Sequence, residues 1–275
     1  MGKVRISLPV AFSACTGYVL QTGRFDTNAL LLIAGVFLMS CSSGAINHIQ
    51  EYKTDALMPR TQKRPIPSGK ISVNGALLVA LAYFGAGAAI LLSVFSPIAF
   101  ATSVVTLLSY NAVYTPLKKI TAFAVVPGSL VGALPPFIGW FAGGGGLADE
   151  RIIWVSLFFF IGQIPHFWLL LLMFGKEYSL AGFPSLNTVF NENQIKRLSY
   201  TWILATIAAA LILAATVLHG YFLIITLLVY ILYLILPLSS EILFKRDLPV
   251  RVSFLKLNLL YLMMMVLLIV DSLWN

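Results

Sequence analysis

Residues 47–69, NHIQEYKTDALMPRTQKRPIPSG, form a polar stretch with apolar sequence on both sides. Asn47, Glu51 and Asp55 recur every four residues, which stacks them on one face if the preceding helix runs on this far. Arg60, Lys63, Arg64 and Lys70 follow, interrupted by Pro59, Pro65 and Pro67, which a helix interior does not accept. The prolines mark this cationic run as a long basic loop. Carboxylates beside clustered cations at the mouth of an apolar bundle suit a magnesium-bridged phosphate ester.

The apolar flanks set the class. Of the 275 residues, 59% are hydrophobic and 10% charged, against roughly 25% charged in a soluble domain. The hydrophobic residues fall into runs long enough to cross a bilayer. Spans are expected near 6–22, 28–49, 72–93, 96–114, 122–142, 152–174, 199–218, 221–239 and 253–273, making an all-α membrane protein of nine helices in one domain over 1–275. The first run follows Lys3 and Arg5 like a signal peptide, but so many spans follow that it reads as retained.

The net charge of +8 is a matter of topology. With the N-terminus inside, 16 of the 18 Lys and Arg residues fall on inner loops or the N-terminus, leaving Arg24 and Arg151 outside. That places the N-terminus in the cytoplasm and the C-terminus outside, and argues against nucleic acid as a partner. Cys15 and Cys41 lie within spans, so neither a disulfide framework nor a thiolate metal site is indicated.

Further along, Ser40, Ser42, Ser43, Gly44 and Ala45 would let the second helix approach a neighbour closely. Tyr114, Lys118 and Lys119 stand at the inner edge before a span interrupted by Pro127, Gly128, Gly132, Pro135 and Pro136. Broken backbone at membrane depth implies a cavity or supporting protein beside it. The sixth span delivers His166, Trp168, Glu177 and Tyr178 to the inner side. Glu177 can therefore converge with Glu51 and Asp55.

Magnesium is usually held by one or two carboxylates plus substrate phosphates, so Glu51, Asp55 and Glu177 are the expected metal ligands. Arg60, Arg64 and Lys118 would neutralise the remaining phosphate charge. If the ester is an allylic diphosphate, stabilising its leaving charge favours ionisation, and an apolar chamber protects the cation that remains. A transporter or heme-handling protein is the competing class, since broken helices and an intramembrane histidine occur there too.

At these residues the chain resembles the UbiA superfamily of intramembrane prenyltransferases, and within it the protoheme IX farnesyltransferases. The resemblance rests on Asn47, Glu51, Asp55, Ala56, Met58, Arg60, Thr61, Arg64, Pro65 and Pro67, then YTPLKK at 114–119, GALPPFIGW at 132–140, PHFW at 165–168 and EYSLAG at 177–182. It implies a nine-helix bundle around a central cavity in a bacterial inner membrane, Mg2+ as cofactor, farnesyl diphosphate as donor and heme B as acceptor. By position it implies Asn47, Glu51, Asp55 and Glu177 as catalytic residues, and Arg60, Arg64, Lys118, Lys119 and Tyr114 as diphosphate-binding ones. His166, Trp168 and Tyr178 would meet the acceptor, and membrane enzymes that handle heme would be partners. An aromatic or quinone-precursor acceptor is the alternative. The sequence departs from the pattern at Lys53, Lys176, Ser185 and Asn187, and the two lysines would lower the negative charge offered to magnesium.

Overall fold

A computed structural model of the chain describes residues 1–184, 186, 189–243 and 250–275, the side chains of 176 and 240–243 excepted. Ser185 and Asn187 lie outside the described residues, as do Lys245, Arg246 and the side chain of Lys176. The described residues form helices and connecting turns without strands.

The helices are α1 (Val4–Thr22), α2 (Thr27–Asp55), α3 (Val73–Val94), α4 (Pro97–Leu117), α5 (Ala122–Ala142), α6 (Glu150–Leu180), α7 (Glu192–Val217), α8 (Tyr221–Leu243) and α9 (Val250–Trp274). Each packs on the next in sequence and α9 returns to α1, so the bundle closes into a ring. Their starts follow local chemistry. Asp26, Ser72, Asp149 and Asn191 each accept a first-turn backbone N–H, satisfying a donor the helix itself leaves open.

Eight of the described helices, α2 to α9, are long and apolar enough to span a membrane, one fewer than the sequence reading expects. The exception is α1. It carries Arg5, Ser7, Pro9 and Gln21, and its residues from Ser13 to Leu20 are buried against protein. A helix sheltered by its neighbours needs small residues more than lipid-facing ones. Its partner across the ring is α5. A side chain at Gly17 would run into the Pro136 carbonyl, and one at Gly139 into the Ala14 carbonyl. These glycines let two backbones touch in the half of the bundle away from Asn47.

The interruptions expected in α5 are present. It opens with a 3-10 turn at Ala122–Ala124, breaks at Ser129, and carries Pro135 and Pro136 within its last segment, Leu130–Ala142. The Ser129 hydroxyl donates to the Val125 carbonyl across the break at 2.9 Å. An irregularity the sequence did not announce lies in α4, where Ser109–Tyr114 widens into a π-helix. Such turns rotate the following side chains relative to a regular helix, and they concentrate at functional sites.

Candidate active site

The α2 face is as its spacing predicts. Asn47, Glu51 and Asp55 are all buried, at 0%, 4% and 1% exposure. Beyond Asp55 the chain leaves the helix through a series of tight turns pinned by the buried Met58 and Ile66. The Thr61 hydroxyl donates to the Asp55 carbonyl at 2.9 Å, and the loop brings Arg64 back over the same residue. Arg64 Nη1 donates to both Asp55 carboxylate oxygens, at 2.8 and 2.7 Å.

The other acids also have cations. Lys118 Nζ lies 2.5 Å from Glu51 Oε1, an oxygen that is buried with no hydrogen-bond partner beyond this ion pair. Burial works most strongly against the charge on Lys118, yet Glu51 together with Tyr110 and Tyr178 outweighs it and holds the ammonium above its ordinary pKa. Glu177 meets the loop from the far side: its Oε2 accepts from the Arg60 backbone N–H at 3.4 Å and lies 3.9 Å from Arg60 Nε. The Arg60 guanidinium also rests over the Phe174 ring, 4.9 Å from its centroid. The two acidic segments are thus joined through Arg60.

The π-helical turn of α4 supplies a second layer. Ser43 donates to Asn111 Oδ1 at 2.7 Å, while Asn111 Nδ2 donates to the Ser43 carbonyl at 3.0 Å and to Gln50 Oε1 at 3.1 Å. Asn47 Nδ2 donates to Thr115 Oγ1 at 3.1 Å. Tyr110 stacks on Tyr114, and Tyr114 leans on Phe167 of α6. The small residues of α2 therefore do more than pack: Ser42 donates to the Ala80 carbonyl of α3, and Ser43 reaches α4.

Lys118 also lies on the wall of a narrow cleft. Tyr114, Lys118, Thr121 and Tyr178 give it a polar side, and Ala122, Val125, Phe167, Leu170 and Leu171 an apolar one. A second, wider cleft has Glu177 on its wall, with Phe174, Phe190 and Glu192.

Some expected site residues stand elsewhere. Lys119 turns to the outside of α2, donating to the Gln50 carbonyl at 3.3 Å. Trp168 packs edge-on against Trp202 in a small apolar cluster with Ile164 and Ile195, its indole N–H buried without a partner. His166 faces α9: its Nδ1 is 3.0 Å from Asn258 Oδ1 and its ring lies 4.8 Å from that of Phe254. Its neighbour Phe167 lines the cleft instead. Lys53 is exposed, off the Glu51/Asp55 face, with its ammonium 6.0 Å from the Tyr52 ring, so it does not dilute the acids there.

One residue read from sequence only as a topological charge belongs here. Lys3 Nζ donates to Asn47 Oδ1 and, at 2.9 Å, to the Tyr110 hydroxyl. No local signal could have placed it, since its partners lie 44 and 107 residues away.

Magnesium favours hard oxygen ligands and keeps part of its shell for phosphate or water. Glu51 and Asp55, one turn apart on a buried face, offer such oxygens, each paired here with a cation, Lys118 and Arg64. Among the described residues no three His, Cys, Asp or Glu side chains converge into a metal-holding group. The donor set fits an ion shared with a phosphate ester rather than one caged by protein alone.

The UbiA prenyltransferase family model matches residues 10–269. The protoheme IX farnesyltransferase of Oleidesulfovibrio alaskensis is 35% identical over 211 residues, 77% of this chain and 74% of its own length. That of Geobacter sulfurreducens is 36% identical over 182 residues, 66% of this chain and 67% of its own. Among solved structures, a UbiA homologue from Aeropyrum pernix K1 superposes with a TM-score of 0.75 at 19% identity, covering 98% of this chain and 99% of that one. A UbiA homologue from Archaeoglobus fulgidus, bound to DMAPP and Mg2+, gives 0.70 at 14% identity, covering 98% and 97%. With a ring of apolar helices, a matching family model and relatives that span most of its length, the chain belongs to the UbiA prenyltransferase family and is a membrane prenyltransferase.

Proposed function

We propose that the chain transfers a farnesyl group from farnesyl diphosphate to a vinyl group of heme B, giving heme O, as a single domain over 1–275. Its loop between α2 and α3 would face the cytoplasm, with the N-terminus inside and the C-terminus outside. The observation that carries this reading is the set of three acid–cation pairs, Asp55–Arg64, Glu51–Lys118 and Glu177–Arg60, with Lys118 on the wall of a cleft whose other side is apolar. The relatives named as protoheme IX farnesyltransferases support the choice of donor and acceptor. The homologue bound to DMAPP and Mg2+ supports magnesium.

In this reading Glu51 and Asp55 would hold Mg2+, Glu177 would face the same diphosphate from α6, and the ion when bound would neutralise charge on the leaving group. Arg64, Lys118 and Arg60 exchange part of their pairing with the acids for phosphate oxygens, which keeps the site near neutral before and after the donor binds. Asn47, locked between Lys3 and Thr115, fixes the α2 face. The bond between C1 of the farnesyl chain and its bridging oxygen breaks, and the electron pair leaves with diphosphate. The vinyl π-electrons of heme B then form the new carbon–carbon bond to C1. Water adds to the resulting cation and loses a proton, leaving a hydroxyl. Tyr114, Phe167 and Leu171 keep other water from C1 until then, and the Tyr110–Tyr114–Phe167 ring stack steadies the charge that develops.

Incubating the purified protein with farnesyl diphosphate, Mg2+ and heme B, with an aromatic acid in a parallel reaction, and determining product masses tests the reading. Farnesylated, hydrated heme is expected. Consumption of the aromatic acid with heme left unchanged would overturn the choice of acceptor.

A further inference from the structure

We propose that Lys3 binds the donor's diphosphate, as a cation brought to the site by the segment ahead of α1. The inference rests on the prenyl-transfer reading above. It concerns a residue outside the matched part of the chain, since the family model begins at residue 10.

The segment is built to hold its place. Gly2 lies so close to Cys41 that any side chain there would strike its Sγ, and its carbonyl accepts from the Ser7 hydroxyl at 3.0 Å. Ser40 of α2 donates in turn to Ser7 at 2.9 Å. Gly44 lies against the Lys3 stem, where a Cβ would come within 3.3 Å of Lys3 Cγ. Lys3 itself adopts a left-handed backbone, φ 44°, the one non-glycine residue to do so among those described. A lysine pays for that conformation only where its surroundings fix it. The small-residue stretch of α2 is thus a dock, and Lys3 is what it delivers.

The delivered ammonium differs from its neighbours. Arg64, Lys118 and Arg60 each sit against a carboxylate, whereas the hydrogen-bond partners of Lys3 Nζ are the neutral Asn47 amide and Tyr110 hydroxyl. Two of its three N–H donors are used there, leaving one for a further acceptor. Glu51 and Asp55 attract it only from beyond contact, and a partly buried cation hydrogen-bonded to neutral groups alone suits an anion. Burial first, and then the nearby Arg64 and Lys118 charges, lower its pKa to about 7, the direction an approaching phosphate would reverse. Asn47 ties it to the Glu51/Asp55 face, where the diphosphate would lie.

The test is binding of magnesium pyrophosphate to the purified, full-length protein by calorimetry, with steady-state kinetics in farnesyl diphosphate alongside. Lys3→Met and Lys3→Gln remove the charge, and Lys3→Gln keeps a polar group for Asn47 and Tyr110 should the first variant fold poorly. Either is expected to weaken pyrophosphate binding roughly ten- to a hundredfold, the scale of a lost charge-assisted hydrogen bond. KM for the donor should rise more than kcat falls, with Lys3→Arg recovering part of the loss. Arg5→Met, at an exposed position two residues on, should bind as wild type. If Arg64→Met weakens pyrophosphate binding and Lys3→Gln does not, the Lys3 assignment fails while the transferase reading stands. If the wild-type protein binds no magnesium pyrophosphate, both fail.

Discussion

Replacing Arg64 by methionine isolates the pair on which the α2 face depends. The Asp55 side chain is 1% exposed, and both of its carboxylate oxygens accept from Arg64 Nη1. Methionine keeps most of the stem volume but leaves a buried carboxylate facing no donor. Breaking a buried pair this way costs about 3–5 kcal/mol, and the 23% exposure of Arg64 puts the cost near the lower end. At about 2–4 °C per kcal/mol for a chain of this size, the midpoint should fall by about 6–12 °C. Adding Asp55→Asn removes the stranded charge, and the double variant should recover more than half of that loss. Scanning fluorimetry in detergent reads the midpoints, and product mass spectrometry reads transfer in the same preparations. Both variants should be inactive, because stability can be regained without the pair whereas diphosphate binding cannot. A single variant as stable as wild type, or a double variant no better than the single, would refute the reasoning.

Gly139→Leu should lower the unfolding midpoint by several degrees, because its side chain meets the Ala14 backbone with no space to yield. Gly85→Ala, in open space on α3, should leave it unchanged or raise it slightly, and parallel melts compare the two. Asn111→Ala strands Ser43 and Gln50 and should cost about 1–3 kcal/mol, read as a lower midpoint, with reduced kcat as the α4 turn loosens. Arg60→Ala should leave stability within about 1 kcal/mol, since the Glu177 contact is long and Arg60 is 41% exposed, yet raise KM for the donor in initial-rate assays.

The α2 face was legible because its acids repeat at helical spacing and the helix does run to Asp55. Arg64 was legible as one of a cationic run beside those acids, but the turns that bring it onto Asp55 were not. What escaped notice turned on rotation and distance. Lys119 follows Lys118 directly, but one residue along a helical turn points elsewhere, so Lys118 reaches Glu51 while Lys119 reaches the Gln50 carbonyl. The same rotation sends Phe167 to the cleft and His166 to Asn258. The π-helical turn set the phase of Tyr110, Asn111 and Tyr114, and no proline or glycine marks it within Ser109–Tyr114. Eight apolar helices rather than nine reflect a first helix enclosed by protein, which hydropathy alone ranks low.

Release of inorganic diphosphate from farnesyl diphosphate, measured with and without Mg2+ for wild type, Asp55→Asn and Glu177→Gln, tests most directly whether α2 and α6 serve one leaving group. The expected result is magnesium-dependent release in wild type and a loss of about a hundredfold or more in each variant, comparable to removing a main stabiliser of leaving charge. Wild-type rates in Glu177→Gln, with Asp55→Asn inactive, would contradict it.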